Sequence, residues 1–213
     1  MRLYLSSYHL GNQPERFAAL VGENKRTAVI SNAADMYSQE SKADKLPSYI
    51  EELKNIGLKG EHLDLRTYFG KQVELAAELS TYGAVWTLGG NAFLLRSAMF
   101  QSGFDQAIET LLQEDKIVYG GFSAGAVVAA PTLIGLEIVD PVAVVKEVYG
   151  AEPIWEGLNL VSYSIAPHYM SNHEEAAAVK TMVEFFVQEN IPYKTLRDGQ
   201  AIVVEGNKEE IVG

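Results

Sequence analysis

The feature that most constrains the fold is the alternation of short apolar segments with longer segments of helical periodicity. Several short segments are apolar at nearly every position, which is typical of parallel strands covered on both faces. The predicted strands are residues 2–7, 26–31, 61–65, 84–88, 117–122, 163–166, 193–196 and 201–204. The predicted helices are residues 14–21, 42–56, 73–79, 93–114 with a break near Gly103, and 173–189. This order predicts an α/β fold, a three-layer sandwich with a mostly parallel central sheet.

The length of 213 residues and the absence of any linker-like segment predict one domain over residues 1–213. Apolar residues make up 47% of the chain and charged residues 21%, which excludes a wholly disordered chain. No segment approaches ~18 consecutive apolar residues, and the N-terminus lacks the apolar stretch of a signal peptide. We therefore expect a cytoplasmic protein without a membrane partner. The charged run at residues 208–210 is interpreted as a solvated turn between strands.

Charge and cysteine content exclude several classes of function. The net charge of −11 argues against a nucleic-acid partner, because phosphate-binding surfaces are basic. The chain has no cysteine, which removes disulfides, thiolate zinc sites, iron–sulfur clusters and a cysteine nucleophile. The oligomeric state is left open between monomer and homodimer.

The most informative motif is Gly-Phe-Ser-Ala-Gly at residues 121–125. It follows an apolar strand and precedes a helix of small residues, which is the context of a nucleophile elbow. Such a turn holds a serine in a strained conformation and needs small neighbours where strand and helix nearly touch. Ser123 is therefore the candidate nucleophile. A plain glycine-rich turn is the alternative, whereas a P-loop lacks its Lys-Ser/Thr ending here.

A serine hydroxyl needs a base to take its proton. His168 follows an apolar strand, which is expected to place it at the edge of the sheet that carries Ser123, and it is the first candidate. His9 and His173 remain alternatives, and His62 lies inside a predicted strand.

The base in turn needs a carboxylate that holds its tautomer. Asp198, in an Asp-Gly pair between two predicted strands, is one candidate, and the same pair is also a strong hairpin signal. From the residues alone Asp140, Glu174 and Glu175 compete with it.

A second pair of glycines, Gly89-Gly90, also stands where a strand gives way to a helix. The N–H of Gly90 is a candidate oxyanion donor, together with the N–H of Ala124, the residue that follows the nucleophile. A structural turn is the alternative. A dinucleotide loop is disfavoured because the third glycine of that fingerprint is absent.

Taken together, these motifs resemble the peptidase E family of aspartyl dipeptidases (serine peptidase family S51), in the class I glutamine amidotransferase-like superfamily. The stretches that carry the resemblance are residues 89–93, 121–126, 138–141, 166–169 and 196–199. The resemblance implies a flavodoxin-like sheet and a peptidase that uses no metal or cofactor. It implies Ser123 as nucleophile, His168 as base and Asp198 as the third member of the triad.

The resemblance also implies that Gly90 and Ala124 form the oxyanion hole, and it makes Asn91 and Phe122 candidate substrate contacts. The implied partner is a short peptide, with N-terminal aspartate in the family's enzymes. Phe122 replaces a family tryptophan, Ala92 replaces a threonine, and residues 170–178 lack the family's basic side chains. The aspartate specificity is therefore left open, with Arg96 and Arg197 as candidate cations. An esterase or amidase with this triad and a catalytically idle binding protein are the alternatives.

Overall fold

The computed structural model describes residues 1–213, with the exception of the side chain of Lys42. The strands are β1 (Arg2–Ser6), β2 (Arg26–Ile30), β3 (Lys59–His62), β4 (Ala84–Thr87), β5 (Val118–Phe122), β6 (Ser164–Ala166), β7 (Tyr193–Thr195), β8 (Ala201–Glu205) and β9 (Lys208–Val212). The helices are α1 (Pro14–Leu20), α2 (Gln39–Asn55), α3 (Gln72–Leu79), α4 (Ala92–Ser102), α5 (Phe104–Gln113), α6 (Ala124–Val127), α7 (Val144–Tyr149) and α8 (Ala176–Gln188).

The central sheet has the strand order β3-β2-β4-β5-β1-β8-β9. The first five strands of that order are parallel, whereas β8 and β9 continue the sheet as antiparallel neighbours. The predicted α/β fold with a mostly parallel sheet is confirmed. Because β1 and β5 are parallel neighbours, with Ser6 opposite Phe122, the segments after both strands leave the sheet at the same edge.

Both faces of the sheet are buried, which accounts for the nearly continuous apolar character of the strands. On β1, Leu3 and Leu5 belong to one core cluster and Tyr4 to the other. The first cluster is covered mainly by α3, α4, α5 and α8, and the second by α1 and α2. The sheet therefore lies between two helical layers.

Two predicted strands do not join this sheet. β6 and β7 pair with each other in a separate two-stranded parallel sheet. The predicted hairpin at Asp198-Gly199 is therefore wrong, since β7 and β8 belong to different sheets. The segment between them instead passes from the small sheet to the central one.

Some helix limits differ from the prediction for local reasons. α2 begins at Gln39 rather than residue 42, because the Ser38 hydroxyl accepts a hydrogen bond from the N–H of Ser41 at 3.2 Å. α8 begins at Ala176, so the predicted start at residue 173 is wrong. The N–H of Glu175 donates to His173 Nδ1 at 3.2 Å, in a turn that precedes the helix. The break at Gly103 separates α4 from α5 as predicted.

Two further segments correct the prediction. The strand predicted at residues 61–65 ends at His62, because the Asp64 carboxylate accepts from the N–H of Arg66 at 3.0 Å and starts a 3-10 turn. Residues 208–210 are part of β9 rather than a turn. β9 is an edge strand, where charged side chains are common because they discourage pairing with other chains. Within the described residues, no helix is both long and apolar enough to cross a bilayer.

Candidate active site

Ser123 lies in the tight turn between β5 and α6. Its backbone angles, φ 48° and ψ −116°, are strained for a residue with a side chain. A Cβ atom added at Gly125 would come within 2.3 Å of the Thr87 carbonyl oxygen. The residue two places after the serine must therefore be glycine, because β4 passes directly beneath it. The local geometry is that of a nucleophile elbow.

The Ser123 N–H is held by the end of β1, where it donates to the carbonyl oxygens of Ser6 and Ser7, both at 3.2 Å. Its side chain lines a cavity of about 250 Å³ that also contains His168. The other residues that line this cavity include Tyr8, Ser31, Tyr37, Lys45, Tyr49, Gly90, Phe122, His173, Glu174 and Glu175.

Two residues with candidate oxyanion-binding N–H groups lie beside Ser123. Gly90 lines both the main cavity and a smaller void behind Ser123, and Ala124 lines the smaller void. Gly90 has φ 133°, and a Cβ there would lie 2.6 Å from the Ala33 carbonyl oxygen, so only glycine fits. Within the part of the chain that the structure describes, neither N–H has a hydrogen-bond acceptor. Both are therefore free to bind an oxyanion.

His168 follows β6 and is almost fully buried, with 1% of its surface exposed. Its Nδ1 lies 2.7 Å from Asp198 Oδ1. Of the four carboxylates left open by the sequence, Asp198 is the one that contacts this nitrogen. His168 reaches the cavity from the small sheet rather than from the central one, which the sequence did not predict.

Ser7 ties the imidazole and the carboxylate together and was missed by the sequence analysis. The hydroxyl of this buried residue donates to Asp198 Oδ1 at 2.9 Å and accepts from the backbone N–H of His168 at 2.8 Å. The one available signal was its position directly after the apolar strand β1. The neighbouring strand β5 leads into the elbow that contains Ser123.

Burial lowers the pKa of His168, and the nearby His173 lowers it further, while the hydrogen bond and charge of Asp198 oppose this shift. Among the described residues, the buried Nε2 of His168 has no hydrogen-bond partner. The structure also shows no hydrogen bond of the Ser123 hydroxyl among those residues. Ser123 and His168 thus line one cavity without a hydrogen bond between their side chains.

The other histidines have different environments. His9 Nδ1 lies 2.7 Å from Glu52 Oε1, and the His9 ring stacks on Phe122. His62 Nε2 lies 3.0 Å from the Ser31 hydroxyl. His173 stacks on His168, with ring centroids 3.7 Å apart and an interplanar angle of 8°.

Asp140, the alternative acid before Pro141, contacts the first residue of α4 instead of a histidine. Its Oδ2 accepts from the N–H of Ala92 at 2.7 Å. The pKa of Asp140 is raised to about 7, mainly by burial; the hydrogen bond from Ala92 opposes this rise and the charge of Glu175 adds to it.

The two candidate substrate contacts differ. Phe122 lines the cavity with its ring. The Asn91 side chain is buried and engaged in capping α4: its Oδ1 accepts from the N–H of Leu94, and its Nδ2 donates to the Pro141 carbonyl oxygen, both at 2.9 Å. Asn91 is not among the residues that line the cavity, and its role as a substrate contact stays a prediction.

Neither candidate arginine lines the cavity. Arg96 is buried and paired with Asp105, whose carboxylate lies 2.7 Å from Arg96 Nη2. Arg197 is exposed beside the third-acid candidate.

One set of described side chains could hold a metal ion. The ligand atoms of His168, His173 and Glu175 all lie within 4.8 Å of one another. The free nitrogen of His168 is its Nε2, so a bound metal would occupy the atom that a general base needs. Metal binding and base catalysis at this nitrogen exclude each other.

The chain is similar to known peptidases. A model of peptidase family S51 matches residues 6–212. Peptidase E from Streptomyces coelicolor is 32% identical over 145 residues, which cover 64% of this chain and 55% of that protein. A probable alpha-aspartyl dipeptidase from Drosophila melanogaster is 29% identical over 135 residues, covering 61% of this chain and 53% of that protein. The matched segments span about half the length of these two relatives.

The fold is also similar to a solved structure. A crystal structure from Listeria monocytogenes EGD-e, provisionally assigned as a peptidase E protein, matches with a TM-score of 0.79. The match covers 99% of this chain and 97% of the other at 22% sequence identity. At this identity the likeness shows the shared fold.

Proposed function

Since the chain belongs to peptidase family S51, we propose that it is a serine exopeptidase of the dipeptidase type, which hydrolyses short peptides through an acyl-enzyme. The observation that carries the proposal is a shared cavity. Ser123 in a strained elbow and His168, whose Nδ1 is paired with Asp198, both line it. This is the combination that a nucleophilic serine requires.

Ser123 is the nucleophile and His168 is its base in this proposal. Asp198 accepts a hydrogen bond from the Nδ1–H of His168, which leaves the lone pair on Nε2 for the serine proton. The unpartnered state of Nε2 is consistent with this role, because a buried nitrogen without a partner costs free energy and is found mainly where function requires it. The serine–histidine contact closes when substrate fills the cavity, as is common for catalytic hydrogen bonds in free enzymes.

The reaction proceeds in two halves. Ser123 Oγ attacks the scissile carbonyl while His168 takes its proton, and the N–H groups of Gly90 and Ala124 bind the oxyanion. His168 then protonates the leaving amine, and the acyl-enzyme remains. Water repeats the sequence with His168 as base, which releases the acid and restores the serine.

The test is dipeptide hydrolysis by a Ser123→Ala variant. We expect kcat to fall by ~10⁴–10⁶-fold while the thermal melt is unchanged, because the nucleophile is lost and no packing is removed. Ser162→Ala, which changes an exposed serine outside the cavity, is the matched control. A Ser123→Ala variant as active as the wild type would refute the proposal.

A fluorophosphonate probe and a substrate panel separate the alternatives. Labelling of Ser123 argues against an idle binding protein, and no labelling at high probe concentration argues for it. Among Asp-first dipeptides, other dipeptides and aryl esters, a higher kcat/KM for the peptides favours the exopeptidase. A higher value for the esters alone favours an esterase.

A further inference from the structure

The cavity of Ser123 has a wall of acidic side chains. Glu174 and Glu175 both line it, and Glu175 also lines the small void behind the nucleophile. The Glu175 carboxylate is half-buried, and its Oε2 lies 3.8 Å from His168 Nε2. The carboxylate is therefore close enough to His168 Nε2, the proposed acceptor of the serine proton, for one small chemical group to contact both.

No Lys or Arg side chain among those described forms an ion pair with Glu175. It faces two imidazoles, but His173 Nδ1 accepts a hydrogen bond from the Glu175 N–H and so carries no proton there. His168 Nε2 must also be unprotonated to act as a base. Burial raises the pKa of Glu175, as expected for a carboxylate that lacks a permanent counter-charge.

Aromatic residues form another part of the wall. Tyr8, Tyr37, Tyr49 and Phe122 line the same cavity. The faces of such rings carry negative potential and attract cations. One cation already uses this surface, since Lys45 Nζ lies 6.0 Å from the ring centroid of Tyr37. Carboxylates and ring faces together make this cavity suited to a positively charged group.

The position of Glu175 determines which charged group of a peptide substrate it can contact. Proton transfer to His168 Nε2 requires the scissile bond to lie next to this nitrogen. In a peptide, the α-nitrogen of a residue is about 2.5 Å from its own carbonyl carbon, and each further residue adds about 3.3–3.6 Å. A carboxylate 3.8 Å from Nε2 therefore matches the α-ammonium group of the residue whose carbonyl carbon Ser123 attacks, which is the first residue of the peptide.

Building on the exopeptidase activity proposed above, we propose that Glu175 binds the α-ammonium group of the substrate's first residue. The substrates are peptides with a free N-terminus that are cleaved after a first residue that is neutral or basic. An acidic first residue is disfavoured, because its carboxylate would approach Glu174, Glu175 and the aromatic faces. Lys45, the one lysine or arginine among the described side chains that line the cavity, is exposed and opposes this effect only in part.

The experiment compares free and blocked substrates with EDTA present, so that no metal occupies the histidines. The substrates are the p-nitroanilides of alanine, lysine, aspartate and N-acetyl-alanine. The quantity measured is the ratio of kcat/KM for the alanine substrate to that for its acetylated form. The variants are Glu175→Gln and the control Glu184→Gln, which removes the same charge from an exposed position on α8.

We expect the wild-type ratio to be large and to fall by about 10- to 100-fold in Glu175→Gln, because a charge-assisted hydrogen bond is lost. Glu184→Gln should keep the wild-type ratio. We also expect lysine and alanine substrates to exceed the aspartate substrate. An unchanged ratio in Glu175→Gln overturns the proposal, as does an aspartate preference that Lys45→Met abolishes.

Two further measurements separate the causes of failure. If fluorophosphonate labels Ser123 and the anilides are cleaved with an unchanged ratio, the ammonium site fails while the exopeptidase stands. If the fluorophosphonate does not label Ser123 and none of the anilides is cleaved, the proposed function fails. The proposed binding of the ammonium group by Glu175 then fails as well. If Glu175→Gln does not fold, Glu175→Asp replaces it. In that variant the carboxylate remains but lies farther from the ammonium group. We therefore expect its kcat/KM ratio to lie between the wild-type ratio and the ratio expected for a site without a carboxylate.

Discussion

At the scale of single residues, the hydroxyl of Ser7 connects the proposed base to its acid. It gives a hydrogen bond to Asp198 Oδ1 and takes one from the His168 N–H, inside a buried site. His168 has φ 60°, a left-handed angle that is uncommon for a residue with a side chain. The hydrogen bond from its N–H to Ser7 therefore helps to hold a strained backbone in place. Ser7 is a positioning residue for the proposed base.

Ser7→Ala should lower kcat by about tenfold with little change in KM. It leaves the His168 N–H unpaired, which should lower the free energy of unfolding by about 1–3 kcal/mol. Steady-state kinetics and chemical denaturation measure the two effects. Ser6→Ala is the matched control, because its buried hydroxyl makes one long contact, 3.4 Å, to the Tyr8 carbonyl oxygen. Equal effects of the two variants on kcat would remove the positioning role of Ser7.

The buried position of His168 predicts the pH dependence of the reaction. In the proposed mechanism only the neutral imidazole accepts the serine proton, and burial holds the pKa of His168 below the ordinary value of 6.5. As the pH is lowered, activity should therefore be lost, and the midpoint of the loss is expected below pH 6.5. Hydrolysis of an uncharged aryl ester measures this midpoint, because that substrate has no ammonium group for Glu175 to bind.

The ionisable residues next to His168 allow a second test of the predicted midpoint. Asp198 raises the pKa, whereas His173 lowers it, and the Glu175 carboxylate lies 3.8 Å away. Asp198→Asn should move the midpoint further down and reduce kcat strongly, because the tautomer is no longer fixed. A wild-type midpoint at or above 6.5 would contradict the prediction.

At the scale of elements, the start of α4 positions one of the proposed oxyanion donors. Asn91 caps the helix and is tied to Pro141, and Asp140 binds the N–H of Ala92. These contacts fix the loop that carries Gly90. The polar side chains around Gly90 thus hold the backbone of this loop in place.

Asn91→Ala should lower the free energy of unfolding by about 1–3 kcal/mol, because the cap and a buried hydrogen bond are lost. We expect kcat to fall as well, with KM nearly unchanged. Asn91→Asp keeps the acceptor for the Leu94 N–H and should lose less stability. If the side chain contacts substrate instead, KM will rise while the thermal melt of Asn91→Ala stays at the wild-type value.

At the scale of the whole molecule, the net charge of −11 sets the field that a substrate meets before it binds. Such a field attracts cations and repels anions over the Debye length, which is about 30 Å at 0.01 M salt and about 8 Å at 0.15 M. The charge of the molecule and the acidic wall of the cavity therefore act in the same direction.

Raising the salt concentration from about 0.01 to 0.15 M should lower kcat/KM for a lysine-first substrate by several-fold. The value for an aspartate-first substrate should rise, and that for an uncharged aryl ester should stay nearly constant. Initial rates at low substrate concentration measure this. A parallel response of all three substrates would show that salt acts on the enzyme and not on the encounter.

The sequence by itself determined the features that depend on neighbouring residues. Strands apolar at nearly every position require cover on both faces, so the parallel sheet was predictable. The glycines around Ser123 specify a tight turn, because only glycine permits so close a contact between strand and helix. The charged residues at 208–210 were misread, because exposure and turn formation look alike when the neighbouring strand is unknown.

The tertiary structure alone decided which distant side chains meet. The bond between His168 and Asp198 depends on how the small sheet of β6 and β7 packs against the central one. Ser7 reaches the site from the segment after β1 and Glu175 from the residue before α8, and neither carries a local motif. The physical reason is that periodicity and turn chemistry act over a few residues, whereas these contacts follow from the packing of whole elements.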